Sequence, residues 1–145
     1  MYKIICVLIF GLLTSCCNTI CRDNDLITEI NTSGYMLSDL EEVLFIKYPK
    51  NDSFVNPIDS FSGIADSSNI IGDIPVVNIY PEHALSVEYN WEIQIQNRST
   101  KIEDLQLGYV TCEACLLDPG EEQIELTSYL LDGIEFNLNY IILYK

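Results

Sequence analysis

Positive charge is what this sequence has least of. Its 145 residues carry 7 lysines and arginines against 22 acidic residues, a formal net charge of −15. A surface so negative excludes nucleic acid as a partner, because phosphates demand a basic face. It also repels anionic headgroups, so the body of the protein is expected to stand off a bilayer. Solubility is the plain explanation of the charge; attraction to a basic partner or to cations is the sharper one. Histidine is scarce too. His83 is the single imidazole, and in Pro81-Glu82-His83-Ala84, without a nucleophile or a second histidine, it reads as a loop residue. No Gly-x-Ser-x-Gly, phosphate loop or His-Glu-x-x-His occurs. There is no internal repeat, no low-complexity tract and no apolar run of the roughly 20 residues that a spanning helix needs. What the chain does have is core-forming content, with 48% apolar residues and 9 tyrosines, too much for disorder.

The N-terminus has its own pattern. Met1-Tyr2-Lys3 supplies one positive charge, and Ile4 to Leu13 follow without any charge. A short basic start and about ten apolar residues are the layout of a secretory signal. Leu13-Thr14-Ser15-Cys16 then resembles the lipobox of bacterial lipoproteins, an aliphatic residue and two small ones before a cysteine. That resemblance implies alkylation of the Cys16 thiol by a diacylglycerol group, cleavage between Ser15 and Cys16, and acylation of the new N-terminus. One acyl chain holds a protein marginally, whereas two or more, at ~0.8 kcal/mol per buried CH₂, anchor it firmly. The expected organisation is a signal peptide over 1–15, a lipid anchor and tether over 16–33, and one domain over 34–145.

Between Val43 and the C-terminus the patterning is that of strands. Ser38-Asp39-Leu40-Glu41 has the capping-box form, yet Val43-Leu44-Phe45-Ile46-Lys47-Tyr48 is β-branched and aromatic and Pro49 stops it, so a helical turn feeding a strand is predicted. Residues 49–73 read as loop with short strand fragments, and Ile74 to Tyr80 as a further strand. Leu85, Val87, Tyr89, Trp91, Ile93 and Ile95 alternate with polar residues, a two-residue period that buries one face. Asn97 to Thr100 is predicted as a turn, after which Leu105, Leu107 and Tyr109 resume the alternation. The last strand is expected to run from Ile134 through Phe136, Leu138, Tyr140 and Ile142 to Tyr144 on one face, with Ile141 and Leu143 making its second half two-sided. Asp118-Pro119-Gly120 and Asp132-Gly133 supply turns. About seven strands without a long amphipathic helix predict an all-β fold, an antiparallel β-sandwich of which the immunoglobulin type is one form, with a small barrel as competitor.

Each chemistry-bearing cluster has a plain alternative. Once the signal is removed and Cys16 is lipidated, Cys17, Cys21, Cys112 and Cys115 remain, and exported thiols usually oxidise. Cys112–Cys115 is the preferred disulfide, and a cross-link from tether to domain is the second choice. Four thiolates could instead ligate zinc, but the oxidising compartment and the lipid beside Cys17 disfavour it. Redox chemistry at Cys112 and Cys115 would need a helix, which Asp118-Pro119-Gly120 prevents. Glu88 and Glu92, two strand steps or about 13 Å apart, exceed the ~5–5.5 Å of a retaining glycosidase pair and read as solvated charges. Asp66-Ser67-Ser68-Asn69 with Asp73 offers oxygens to calcium without the EF-hand spacing. Trp91 and Tyr89 share the apolar face with Val87 and Ile93, so core is preferred over a sugar-stacking platform.

The lipobox, Tyr35-Met36-Leu37-Ser38 leading into the Val43–Tyr48 segment, and Tyr89-Asn90-Trp91-Glu92-Ile93 together resemble small uncharacterised lipoproteins of the Bacteroidetes. Arg22-Asp23-Asn24-Asp25 resembles the acidic signal that directs some of them to the cell surface. The resemblance implies a β-rich domain in the cell envelope, at the outer membrane, held through lipid on Cys16, and it transfers no catalytic residue. The expectation is a non-enzymatic binding or accessory module with no cofactor and no metal, facing a protein or glycan ligand. The alternative is an acidic inhibitor of a basic hydrolase such as lysozyme, and an enzyme acting on envelope polymers is the third reading.

Overall fold

The computed structural model describes residues 26–71, 74–111 and 122–145. Their fold is all-β and sandwich-like, with one 3-10 turn at Leu37–Leu40. The strands are β1 (Leu26–Ile27), β2 (Ile30–Ser33), β3 (Val43–Pro49), β4 (Asp59–Ile71), β5 (Ile74–Pro81), β6 (Leu85–Ser86), β7 (Tyr89–Ile95), β8 (Arg98–Thr111), β9 (Glu122–Leu131), β10 (Ile134–Phe136) and β11 (Ile141–Tyr144). Nine of them form one continuous ladder in the order β10-β9-β8-β7-β3-β4-β5-β2-β11, and β1 pairs with β6 beside it. All neighbours in the ladder are antiparallel except β2 and β11, which run parallel.

Such a ladder curls because twisted strands coil, and its two halves close over a shared core. Phe45, Trp91, Ile93 and Ile102 from the middle meet Tyr129, Ile79, Ile30, Ile141 and Leu143 from the two ends, all almost fully buried. Each such side chain contributes about 1.5–3 kcal/mol of apolar burial. β1 and β6 close one end, burying Ile27 and Leu85. At the seam the ladder does not join. The Tyr129 hydroxyl of β9 crosses instead to the last strand, donating to the Tyr140 carbonyl at 3.2 Å and accepting the Ile142 N–H at 3.4 Å. The Lys145 ammonium fastens the same end to the Asp39 carboxylate at 2.7 Å.

Several expectations shift. The domain starts before residue 34, because Leu26–Ile27 and Ile30–Ser33 are strands and Ile30 and Thr32 are fully buried. Asp39 rather than Glu41 closes the helical turn, accepting the Met36 N–H at 2.8 Å. The stretch expected to be loop contains the long strand β4. The alternating run from Leu85 to Ile95 breaks at a turn over Val87 and Glu88, so Leu85 pairs with β1 and only Tyr89 onward joins the main sheet. The turn expected over 97–100 is shorter: Gln96, at φ +54°, and Asn97 make it, and β8 begins at Arg98.

In β8 an irregularity around Asp104, at φ +49°, slips the register against β9. Ile102 and Leu105 are therefore both buried although three positions apart, while Tyr109 turns outward and is 75% exposed. One extra residue in a strand inverts every side chain beyond it. The C-terminal run divides likewise. β10 pairs at one edge of the ladder and β11 at the other, and the inward residues of β11 are Ile141 and Leu143, not Ile142 and Tyr144. The Asp132-Gly133 turn forms as expected, with φ of +49° and +80°.

Candidate functional site

The outer face of β3, β7 and β8 carries a polar cluster that follows from strand phase. Because Trp91, Ile93 and Ile95 point into the core, Asn90, Glu92 and Gln94 point away from it. Antiparallel register sets Glu92 opposite Lys101 and Gln94 opposite Ser99 on β8, and Asn90 opposite Tyr48 on β3. Tyr48 stays buried on this outer face because the chain after β3 folds back over it. Asp52 builds that loop: its carboxylate accepts the N–H groups of Val55 at 2.8 Å and Asn56 at 3.3 Å, and the Asn56 side-chain amide at 2.9 Å. These bonds hold the Asp52 carboxyl below the usual carboxylate range. Phe54, at φ +60°, lays its ring edge-on to Tyr48 with centroids 5.0 Å apart. The Lys101 ammonium stands 4.6 Å above the Phe54 ring, an attractive cation–π placement.

Glu92 sits at the centre. It accepts the Tyr48 hydroxyl at 2.8 Å, the Gln94 amide at 3.0 Å and the Ser99 hydroxyl in a very short contact. Burial pushes its carboxyl up, but the bonds from Ser99, Gln94 and Tyr48, with the Lys101 charge, outweigh it and hold the group below the usual range. Tyr48 moves the other way: burial, then the bond to the Glu92 carboxylate, push its phenol up. Glu92 is thus an ionised anchor with donors on both oxygens, not the freely solvated charge expected of it, while Glu88 is exposed on its turn.

Beside this anchor a cavity of about 360 Å³ opens between the 50–54 loop and β8, with Lys50, Asp52, Phe54, Asn90, Lys101 and Glu103 among its walls. Asn90 is only 4% exposed. Its amide donates to the Lys50 carbonyl at 3.2 Å, whereas its Oδ1 has no hydrogen-bond partner. A second recess of about 430 Å³, between the Glu41-Glu42 corner and Ser62, Gly63 and Gln94, borders no unsatisfied buried group among the described residues.

The other sequence candidates do not converge here. Cys16, Cys112 and Cys115, with Cys17 and Cys21, lie outside the described residues. His83 is exposed, edge-on to Phe61 with centroids 5.2 Å apart. Asp66 is exposed on β4, Asp73 lies outside the described residues, and no group of three His, Cys, Asp or Glu within reach of one metal ion occurs among the described residues. Trp91 is core, 2% exposed, its indole N–H donating to the Ser86 carbonyl at 3.0 Å. Tyr89 is half-buried beneath the Lys47 ammonium, 3.6 Å from its ring centroid.

Asn90, Lys50 and Lys101 were not singled out by the sequence. The available signal was Tyr48, an aromatic residue out of phase with Val43 and Phe45 on its own strand, which required a cover on the outer face. No protein-family model, no curated protein and no solved structure matches this chain.

Proposed function

We propose that the protein is a lipoprotein of the bacterial cell envelope, tethered to the outer membrane through lipid on Cys16, whose β domain is a non-enzymatic binding module. The observation that carries the binding half is the cavity beside Asn90, held by a sheet on one side and a hydrogen-bonded loop on the other. Recesses with a few fixed polar groups are where small ligands bind. Glu92, the carboxylate at the centre of the neighbouring cluster, has its oxygens filled by three donors that hold it below the usual carboxylate range. A general acid needs a proton to give at working pH, so these features favour holding over cleaving.

The inhibitor reading keeps one supporting observation. Acidic residues outnumber lysines and arginines 22 to 7, and Lys145 is already paired with Asp39, so most of the acidic groups have no basic side chain of this chain to neutralise them. Salt-sensitive binding to a cationic enzyme such as lysozyme would favour that reading.

The first test compares the wild type with Cys16→Ser in a Bacteroidetes host by intact mass and membrane fractionation. Lipid mass and membrane retention are expected for the wild type alone. Two soluble, unmodified forms would remove the anchor, and shortening of envelope glycans incubated with the purified protein would remove the non-enzymatic assignment.

A further inference from the structure

The geometry points to a docking surface for a basic segment of another protein, on the outer face of β3, β4 and β5 beside the recess at Glu41 and Glu42. This deepens the binding-module reading and rests on it. Exposed apolar side chains are the first reason. Val43 and Phe45 of β3 face the core, so Leu44 faces away from it, and register sets Leu44 beside Ser62 of β4. A Cβ on Gly63 would strike Phe45, which places Gly63 on the inner face and Ser62 and Ile64 on the outer. Ile64 then lies opposite Tyr80 of β5. Leu44, Ile64 and Tyr80 thus form a diagonal stripe over three strands, 38%, 76% and 40% exposed. Single apolar residues on a surface are ordinary, whereas adjoining ones with a polar rim mark contact sites.

Charge chooses the occupant. The stripe runs into the recess of about 430 Å³ walled by Glu41, Glu42, Leu44, Gly63, Gln94 and Gln96. Among the described residues no ion pair engages Glu41 or Glu42, and no lysine or arginine lines the recess. Gln94 gives an amide hydrogen to Glu92, which leaves its carbonyl oxygen as a further acceptor. At the other side of the stripe Glu82 stands next to Ser62, accepting its hydroxyl at 3.4 Å. An apolar floor under a carboxylate rim suits a lysine or arginine, whose methylene stem lies on apolar surface while the charge stays at the polar edge. Ile64 is the diagonal neighbour of Leu44, about 7–8 Å away by strand geometry. Side chains two apart in an extended segment have nearly that spacing, about 7 Å, so a basic residue in the recess brings an apolar one onto Ile64 and Tyr80. Nucleic acid and anionic lipid are repelled by the same carboxylates. A wholly apolar partner would cover them without a counter-charge.

The test titrates the full-length, isotope-labelled protein with the peptide acetyl-Lys-Ser-Leu-Ser-Lys-amide and follows the Gly63 backbone amide and the Gln94 side-chain amide by NMR. Saturable shifts at both are expected, with affinity falling as salt rises. The same peptide with glutamate for both lysines should leave them unmoved, and serine for the leucine should weaken binding. Glu41→Gln combined with Glu42→Gln should weaken it roughly threefold to tenfold, the effect of losing two exposed ion pairs, and Ile64→Ser roughly fivefold. All three positions are exposed, and a thermal melt verifies that each variant folds. Glu88→Gln combined with Glu135→Gln removes the same charge from exposed sites elsewhere and should leave affinity unchanged. An equal loss in that control would reduce the effect to net charge and overturn the surface. Undiminished affinity in the Glu41, Glu42 and Ile64 variants, or no shift at Gly63 and Gln94, would overturn it as well, and equal binding of the serine peptide would overturn the apolar stripe. Each of these results leaves the tether, tested at Cys16, and the cavity beside Asn90 in place.

Discussion

Gly63 of β4 lies close against buried core side chains, and replacing it with alanine should destabilise the protein although the backbone there is ordinary strand. A Cβ at this position would stand 2.5 Å from Cε2 of Phe45 and 3.1 Å from Cγ2 of Ile79. Neither neighbour can retreat easily. Phe45 and Ile79 are fully buried, and the Phe45 ring is stacked on Phe61 with centroids 5.6 Å apart. Overpacking of this kind costs typically about 1–3 kcal/mol. Against it, alanine recovers about 0.5–1 kcal/mol that glycine loses in chain entropy within a strand. The clash wins, with a net loss of roughly 1–2 kcal/mol, and a urea slope of ~1–3 kcal/mol per molar turns that into a midpoint lower by about 0.5–1 M. Shortening the neighbour supplies the control: in a Phe45→Leu background Gly63→Ala should cost less, because the atom it strikes is gone. Gly63→Ala with an unchanged or higher midpoint, or with the same cost in both backgrounds, would refute the packing argument.

Two further outcomes follow from the seam and from the polar anchor. Tyr129→Phe keeps the ring stacked on Phe136, 5.6 Å between centroids, but deletes the hydroxyl that serves Tyr140 and Ile142; a loss of about 1–2 kcal/mol is expected, with faster amide exchange at Ile142 as its local sign, and unchanged exchange there would contradict the bridging role. Because the folded-state Glu92 carboxyl is held below its unfolded value, its contribution is complete above the unfolded value, about 4.3, and is lost as pH falls through the folded one. The stability gap between wild type and Glu92→Gln, measured by urea at pH 6 and pH 3, should therefore narrow in acid, and a gap that widens would reverse the assigned sign.

Much of the fold could be read from residues whose partners lie nearby in the chain. Trp91, Ile93 and Ile95 face inward as their alternation says, and Asp132-Gly133 turns because its φ angles suit those residues. The failures have a common cause. Period two reports which face a residue takes only while the strand is unbroken, so the turn at Val87 and Glu88 and the irregularity at Asp104 each reset the phase without a warning in hydrophobicity. The C-terminal run carried apolar residues on both faces, and so the inward set, Ile141 and Leu143, was ambiguous until β2 supplied the register. The site was less legible still. Asn90, Glu92 and Gln94 read as a wet face, and they are drawn into a network by Tyr48 on one neighbouring strand and by Ser99 and Lys101 on the other. Strand order, which local pattern does not encode, decided which side chains met.

The parallel pairing of β2 with β11 also fixes when the fold can finish. Ile30 is among the first described residues and Ile141 among the last, so the edge of β2 that faces β11 stays unpaired until that distant strand arrives. Contacts spanning such long stretches of sequence slow folding, and the antiparallel hairpins between β3 and β9 can assemble well before this closing step. β11 is the strand that completes the sheet, so the seam bridged by Tyr129 closes only after β2 and β11, distant in sequence, have met.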